Sequence, residues 1–276
     1  MFNSFPNLQQ LYILGNPDPS IDYILCHKIM VEAVKRNIKV CISTSGIGGE
    51  KILKSLFDGI SPTMVDYISF SIDSIIPEKM NILKGIKYPW EKSLKGIKWA
   101  VNNGYVVKIQ PTLWSCNYLE AKDIIEYFTK MGINWFSFHI GSLESGVCLQ
   151  THQHLTKGQI DNVMLQIEET VKTHNNLKVR CPIIYSDENY DKDEKWYCMH
   201  PKTDVELLVT FTQAGIKFTN CPLASSFDDE YTCILGKQLA TVKTFEDDNL
   251  NCCPFSKQLC GNEYSICRYI SKTWGY

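Results

Sequence analysis

No stretch of this chain approaches the roughly 20 consecutive apolar residues that span a bilayer. Its opening, MFNSFPNLQQ, has neither the basic start nor the apolar run of a secretory leader. An excess of one charge is missing too. The 28 lysines and arginines nearly balance 30 aspartates and glutamates, so no global field draws the chain toward nucleic acid or an anionic membrane. The expected setting is the cytoplasm, with no nucleic acid and no membrane as partner. Low-complexity tracts are absent, and so is any repeat beyond an alternation of strand and helix. No two cysteines are spaced Cys-x2-Cys, the paired knuckle of common zinc sites.

What is present is enough chain for a substantial core. At 276 residues and 44% hydrophobic content, one large domain or a larger plus a smaller one can form. Short apolar runs recur at Leu11–Leu14, Lys39–Ser43, Tyr67–Ile72, Val106–Gln110 and Trp135–Ile140. Helix-like segments separate them at Ile21–Lys35, Glu50–Phe57, Trp90–Asn102 and Leu119–Met131. A longer helix is expected at Lys157–His174, leading to a sixth strand at Leu177–Ile184. Strand-length runs alternating with helices imply βα units around a parallel sheet. The fold class expected is α/β: a partial (β/α) TIM-like barrel over residues 1–184. A charged linker follows at 185–197, and then a small cysteine-rich module over 198–276. There, Glu206–Thr212 and Ile216–Thr219 read as a hairpin.

In such folds ligands gather where strands end and helices begin. The polar turns at those positions are Gly15-Asn16-Pro17-Asp18-Pro19, Ser43-Thr44-Ser45-Gly46, Ser71-Ile72-Asp73-Ser74 and Gln110-Pro111-Thr112, with Asn117 a little later. Gly15 and Gly46 permit close approach of backbone to a ligand. Asp18 could meet an ammonium, and Asp73 ribose hydroxyls. The same residues have structural uses: Gly/Pro/Asp turns join many βα elements, and Ser45 or Asp73 could cap the next helix.

The order and spacing of these turns over about residues 10–145 resemble the radical S-adenosylmethionine (SAM) superfamily. Gly15 keeps one glycine of that family's first turn, Asn16 and Pro17 replace two more, and Asp18-Pro19 stand for its Glu-Pro. Thr44-Ser45-Gly46 looks like its Thr-Asn-Gly turn, Ser71-Ile72-Asp73 like its Ser-hydrophobic-Asp strand end, and Asn117 like a family asparagine. The resemblance implies SAM contacts at Gly15, Asn16, Asp18, Pro19, Ser45, Ser71, Asp73 and Asn117. It also implies a 5′-deoxyadenosyl radical that abstracts hydrogen from a peptide or other substrate.

The family's Cys-x3-Cys-x2-Cys, which holds the SAM-cleaving cluster, occurs nowhere in the chain. Only 14 residues precede Gly15, and none is cysteine. The expectation is a protein incomplete or inactive as this chain alone, with a protein partner covering an open barrel edge as one remedy. A truncated start, a degenerate relative and an unrelated barrel enzyme all remain open.

Cysteine is unevenly spread. Five of 12 lie in the first 181 residues, and seven lie between Cys198 and Cys267. A dense cluster without a secretion signal favours metal over disulfides. The tail resembles the SPASM or twitch extension of peptide-modifying radical SAM enzymes. That resemblance implies an auxiliary [4Fe-4S] cluster, for which Cys198, Cys221, Cys253 and Cys260 are the best ligand set and Cys233, Cys252 and Cys267 the substitutes. Four thiolates also suit zinc, although the tail lacks paired Cys-x2-Cys knuckles, and a non-catalytic binding subunit with structural zinc or an electron-relay cluster is the alternative. His139, at a strand end, could serve as acid, base or ligand. His152 and His154 read as loop residues, and His27 as a structural one.

Overall fold

The computed structural model describes residues 8–14, 18–140, 155–184, 208–212, 215–219, 233–234 and 269–274. The chain divides into two compact units, residues 2–183 with 271–276, and residues 184–270.

The larger unit runs β1 (Gln10–Ile13), α1 (Tyr23–Val34), β2 (Lys39–Thr44), α2 (Gly49–Leu56) and β3 (Val65–Phe70). It continues with α3 (Pro77–Lys84), α4 (Trp90–Asn102), β4 (Val107–Ile109), β5 (Thr112–Leu113) and α5 (Ala121–Thr129). β6 (Trp135–Ser137), β7 (His139–Ile140), α6 (Lys157–Thr173) and β8 (Lys178–Ile184) complete the alternation. In the second unit β9 (Leu208–Thr212) and β10 (Gly215–Thr219) form an antiparallel hairpin, with β11 (Cys233–Ile234) on the far side of β10. The last strand is β12 (Tyr269–Trp274).

The main sheet has the order β1-β2-β3-β4-β6-β8-β12, and its first six strands are all parallel. This is the expected α/β class, with consecutive βα units laid side by side as in a partial barrel. The two faces of the sheet differ. Val40, Ile42, Ile68, Phe70, Val107, Ile109, Phe136 and Val179 are buried and alternate along their strands with a more polar row. Each fully buried side chain of this size contributes about 1.5–3 kcal/mol. The opposite row carries Tyr12, Cys41, Tyr67, Ser69, Lys108 and Trp135, as the register Tyr12↔Cys41↔Tyr67 and Ser69↔Lys108↔Trp135 requires. Edge-on ring contacts from Tyr67 to Tyr12 and Trp135, with centroids 5.9 and 5.0 Å apart, place these three on one face.

Helix ends follow local chemistry. Thr156 and Gln159 form a capping box at the start of α6, satisfying two backbone donors reciprocally. α2 packs against both α1 and α4. His27 of α1 hydrogen-bonds the Leu56 carbonyl at 3.0 Å, the structural role its sequence position suggests. Close approach of α2 to α4 needs two glycines. A Cβ on Gly96 would lie 3.1 Å from the Gly49 carbonyl carbon, and Gly49 itself has φ +63°.

Three details depart from the sequence expectation. β3 begins and ends two residues early, at Val65–Phe70, because Ile72 continues the apolar run as a buried residue beyond the ladder. The fifth run splits into β6 and β7. Phe138 donates its amide to the Arg180 carbonyl, whereas His139 donates to that of Pro111, so the chain changes partners at that step. α3, between Asp73 and Trp90, was not anticipated.

Candidate functional site

The first turn is organised by Asp18. Its carboxylate accepts from the Ser20 amide at 2.9 Å and from the Thr44 hydroxyl at 2.9 and 3.1 Å. The amide and hydroxyl of Ser45 add bonds of 2.5 and 2.7 Å. Burial by itself would raise the carboxyl pKa, but the donors from Ser20 and Ser45 outweigh it and hold it below the usual range. Thr44 is doubly used, since its hydroxyl also accepts from the Gly46 amide at 3.0 Å. The Ser45 carbonyl accepts from the Tyr88 hydroxyl, and Ser93 donates to Tyr88 at 2.8 Å. Burial of that phenol pushes its pKa up, so it remains a donor. Ser45 caps no helix, because Gly48 occupies that position for α2. Pro19 is buried beside this cluster, and Gly15 and Asn16 lie outside the described residues.

The second cluster is built on Asp73, which is 5% exposed. One carboxylate oxygen accepts from the Thr112 amide at 2.8 Å, and the other pairs with Lys84 Nζ at 2.7 Å. Lys84 also donates to Ser71 Oγ at 2.9 Å. Asn117, buried, donates to the carbonyls of Asp73 at 2.6 Å and Thr112 at 2.9 Å, and accepts from the Trp114 amide at 2.6 Å. Ser71 is joined in turn to β2, its amide donating to the Thr44 carbonyl at 2.8 Å. Asp18, Ser45, Ser71, Asp73 and Asn117 thus stand at the carboxyl end of one parallel sheet, linked through β2, β3 and β4.

Two residues of this cluster were not anticipated. Lys84 closes α3 and bridges Ser71 to Asp73. Its signal was Pro77 at the helix start and Gly85 in the left-handed conformation (φ +64°) at its end. Glu120, 4% exposed, accepts from Ser74 at 2.5 Å and from Lys79 at 2.6 Å, anchoring the segment after Asp73.

His139 lies further across the same end of the sheet and keeps an accessible face. Its surroundings nevertheless desolvate the ring, and the Lys108 and Arg180 cations add to this, against a smaller opposing effect of Asp73. The ring pKa falls to about 4, so His139 is neutral near pH 7. Cys41 and Cys181 are buried thiols, raised by desolvation to about 11 and about 12, which makes them poor nucleophiles.

Lys84 has three N–H donors, and two are committed to Ser71 and Asp73. One donor is left over by these two bonds. Each Asp73 oxygen has accepting capacity left for hydroxyls. That donor set fits SAM. Among the described residues, no group of three or more His, Cys, Asp or Glu side chains is placed to hold a metal. Cys198, Cys221, Cys253 and Cys260 lie outside the described residues, as do His152 and His154. No described helix is long and apolar enough to cross a membrane.

No protein-family model matches the chain, and no curated protein matches it in sequence. Solved structures are similar to it at low identity. A domain of pyruvate-formate lyase-activating enzyme from Bacteroides vulgatus ATCC 8482 matches with TM-score 0.46 and 10% identity, covering 58% of this chain and 93% of that one. The anSMEcpe structure with bound AdoMet and Kp18Cys peptide matches with TM-score 0.47 and 14% identity, covering 62% of this chain. TsrM, a radical S-adenosylmethionine methyltransferase from Kitasatospora setae, matches with TM-score 0.37 and 9% identity over 48% of this chain. This chain spans 49% of the anSMEcpe chain and 27% of TsrM.

Proposed function

We propose that this chain is a SAM-binding protein of the radical SAM type, with its site at the carboxyl ends of β1 to β4. The carrying observation is the Ser71–Lys84–Asp73 arrangement, which presents a partly committed ammonium beside a buried carboxylate. In this reading Lys84 and Ser71 meet the methionine carboxylate of SAM, and Asp73 meets the ribose hydroxyls. Asn117 fixes the backbone that carries Asp73. Asp18 and Ser45 shape the first turn, so that its backbone receives the amino group. When bound, SAM supplies a sulfonium centre whose reductive cleavage drives chemistry on a peptide or other substrate. In this role these side chains bind and orient SAM and exclude water. An auxiliary [4Fe-4S] cluster on Cys198, Cys221, Cys253 and Cys260 belongs to the same proposal, as does a protein partner; zinc at those cysteines belongs to the second reading.

A second reading, a non-catalytic binding subunit, draws on Asp18. Its carboxylate already accepts from three neighbouring residues, so this turn can serve as architecture without a ligand.

Equilibrium dialysis with labelled SAM tests the first reading. Saturable binding, weakened about tenfold or more in Lys84→Met, is expected; tenfold corresponds to about 1.4 kcal/mol of lost interaction. Absence of saturable binding by folded, anaerobically prepared protein would reject it. Iron, acid-labile sulfide and zinc content of the same preparation decides the auxiliary site. Iron with matching sulfide supports the cluster, and zinc alone supports the second reading.

A further inference from the structure

The chain turns away from the sheet after Asp73 and returns at Lys84, whose Nζ pairs with the Asp73 carboxylate at 2.7 Å and closes a loop of 11 residues. α3 forms the returning arm. It has only eight residues, its N-cap Ile76 makes no side-chain capping bond, and Ile76, Ile82 and Ile86 are exposed. A helix this short draws little stability from its own backbone bonds. The direction in which it carries Lys84 is therefore fixed from outside.

Glu120, 4% exposed, supplies the anchor from a different element. One of its carboxylate oxygens accepts from the Ser74 hydroxyl at 2.5 Å and the Ile75 amide at 3.4 Å, directly after Asp73. The other accepts from Lys79 Nζ at 2.6 Å, in the first turn of α3. Lys79 and Lys84 are about 140° apart around the helix, so one can reach Glu120 while the other reaches Asp73. The same stretch of chain grips this loop twice more, through the Cys116 carbonyl, which accepts from Lys79 at 3.2 Å, and through Asn117, which donates to the Asp73 carbonyl at 2.6 Å.

Glu120 is itself held in place. Gln166 of α6 donates to the Tyr118 carbonyl at 3.1 Å and accepts from the Lys122 amide at 3.3 Å, bracketing Glu120 in the chain. A buried carboxylate is stable only where donors fill its accepting capacity. Among the described residues, every donor Glu120 meets lies within 74–79.

We propose that Glu120 is a positioning residue: it sets the direction of α3, and thereby the seating of Lys84 on Asp73 and Ser71, without touching the ligand. That this pair meets the carboxylate and ribose of SAM rests on the function proposed above; that Glu120 governs the pair rests on these contacts alone.

Two measurements test it. An amide has a single accepting oxygen, so Glu120→Gln keeps at most one of the two anchors and Glu120→Ala keeps neither. In urea denaturation, the non-additivity between Asp73→Asn and Lys84→Met should shrink to about half or less in Glu120→Gln, and further in Glu120→Ala. Coupling of unchanged size overturns the proposal whether or not the chain binds SAM, and Glu120→Gln decides the matter where Glu120→Ala does not fold. Equilibrium dialysis adds the ligand. Wild type should prefer SAM to decarboxylated SAM, which lacks the group Lys84 meets, and Glu120→Gln should reduce that preference about threefold or more. An unchanged preference in protein that binds SAM also overturns the proposal, because a merely structural loss weakens both ligands alike. Folded wild type that binds no SAM sinks the SAM reading alone, and the coupling measurement still decides the role of Glu120.

Discussion

Asp18 and Ser45 stand 27 residues apart in sequence, yet both the amide and the hydroxyl of Ser45 donate to a single oxygen of the Asp18 carboxylate. This joins the turn after β1 to the turn after β2 without any strand ladder. It makes Asp18 the organiser of the site's first corner, whatever that corner binds.

Asp18→Asn keeps the shape but removes the charge and half of the accepting capacity, leaving at least one donor of Ser45 or Thr44 unmatched. A loss of about 1–3 kcal/mol is expected, read as a lower urea midpoint with unchanged slope. The pH dependence has a definite sign. The folded-state pKa of Asp18 is depressed, so its stabilisation is complete above the unfolded carboxyl value of about 3.9. It is lost as pH falls through the lower folded value. The variant should lose that acid dependence. An acid limb matching wild type would count against the carboxylate's role.

Gly49 is a backbone requirement. A Cβ there would run into the Lys92 side chain and lie 2.9 Å from the Lys92 carbonyl oxygen, at a φ of +63°. Gly49→Ala should cost about 2 kcal/mol or more, from left-handed strain plus displacement of α4. Truncating Lys92 to alanine should recover only part of this, since the carbonyl remains. Full recovery in the double variant would show that the side chain alone was the obstacle.

Asp73→Asn should lower stability by about 3–5 kcal/mol, because Lys84 is left without its buried counter-charge. Asp73→Asn combined with Lys84→Met should cost less than the sum of the single changes by about 1–3 kcal/mol, the signature of a direct pair. Strict additivity in chemical denaturation would rule out the coupling.

His139 has a depressed pKa of about 4, so the unfolded chain, titrating near 6.5, takes up the proton first. The contribution to stability is complete above about pH 6.5 and is lost as pH falls toward the folded value. His139→Gln should flatten stability across that window. The ring resonances of wild type should titrate near pH 4; a midpoint near 6.5 would contradict the desolvated setting beside Lys108 and Arg180.

Local pattern was enough to find the ends of α4, which match Trp90–Asn102 as read from sequence. It also located β2, α6 and the β9–β10 hairpin to within a residue or two. α3 escaped because its eight residues mix exposed Glu78 and Ile82 with buried Met80 and Leu83, too few turns for a clear stripe. Its proline start and glycine stop were the readable signals. Losing α3 meant losing Lys84, and with it the partner that gives Asp73 its meaning. Lys108 was legible only as a polar residue in an apolar run, since its aromatic and cationic neighbours come from β3, β6 and β8.

The sequence by itself determined the alternation of strand and helix, and hence the parallel sheet. It also determined that polar turns follow the strands, because both are written in spacings of a few residues. Only the tertiary structure decided which turns meet. Asp18 with Ser45, Asp73 with Lys84 and Lys108 with Trp135 are pairings 27, 11 and 27 residues apart. Strand order and register set them, and these follow from burying one whole sheet face at once, a property that no short window of sequence contains.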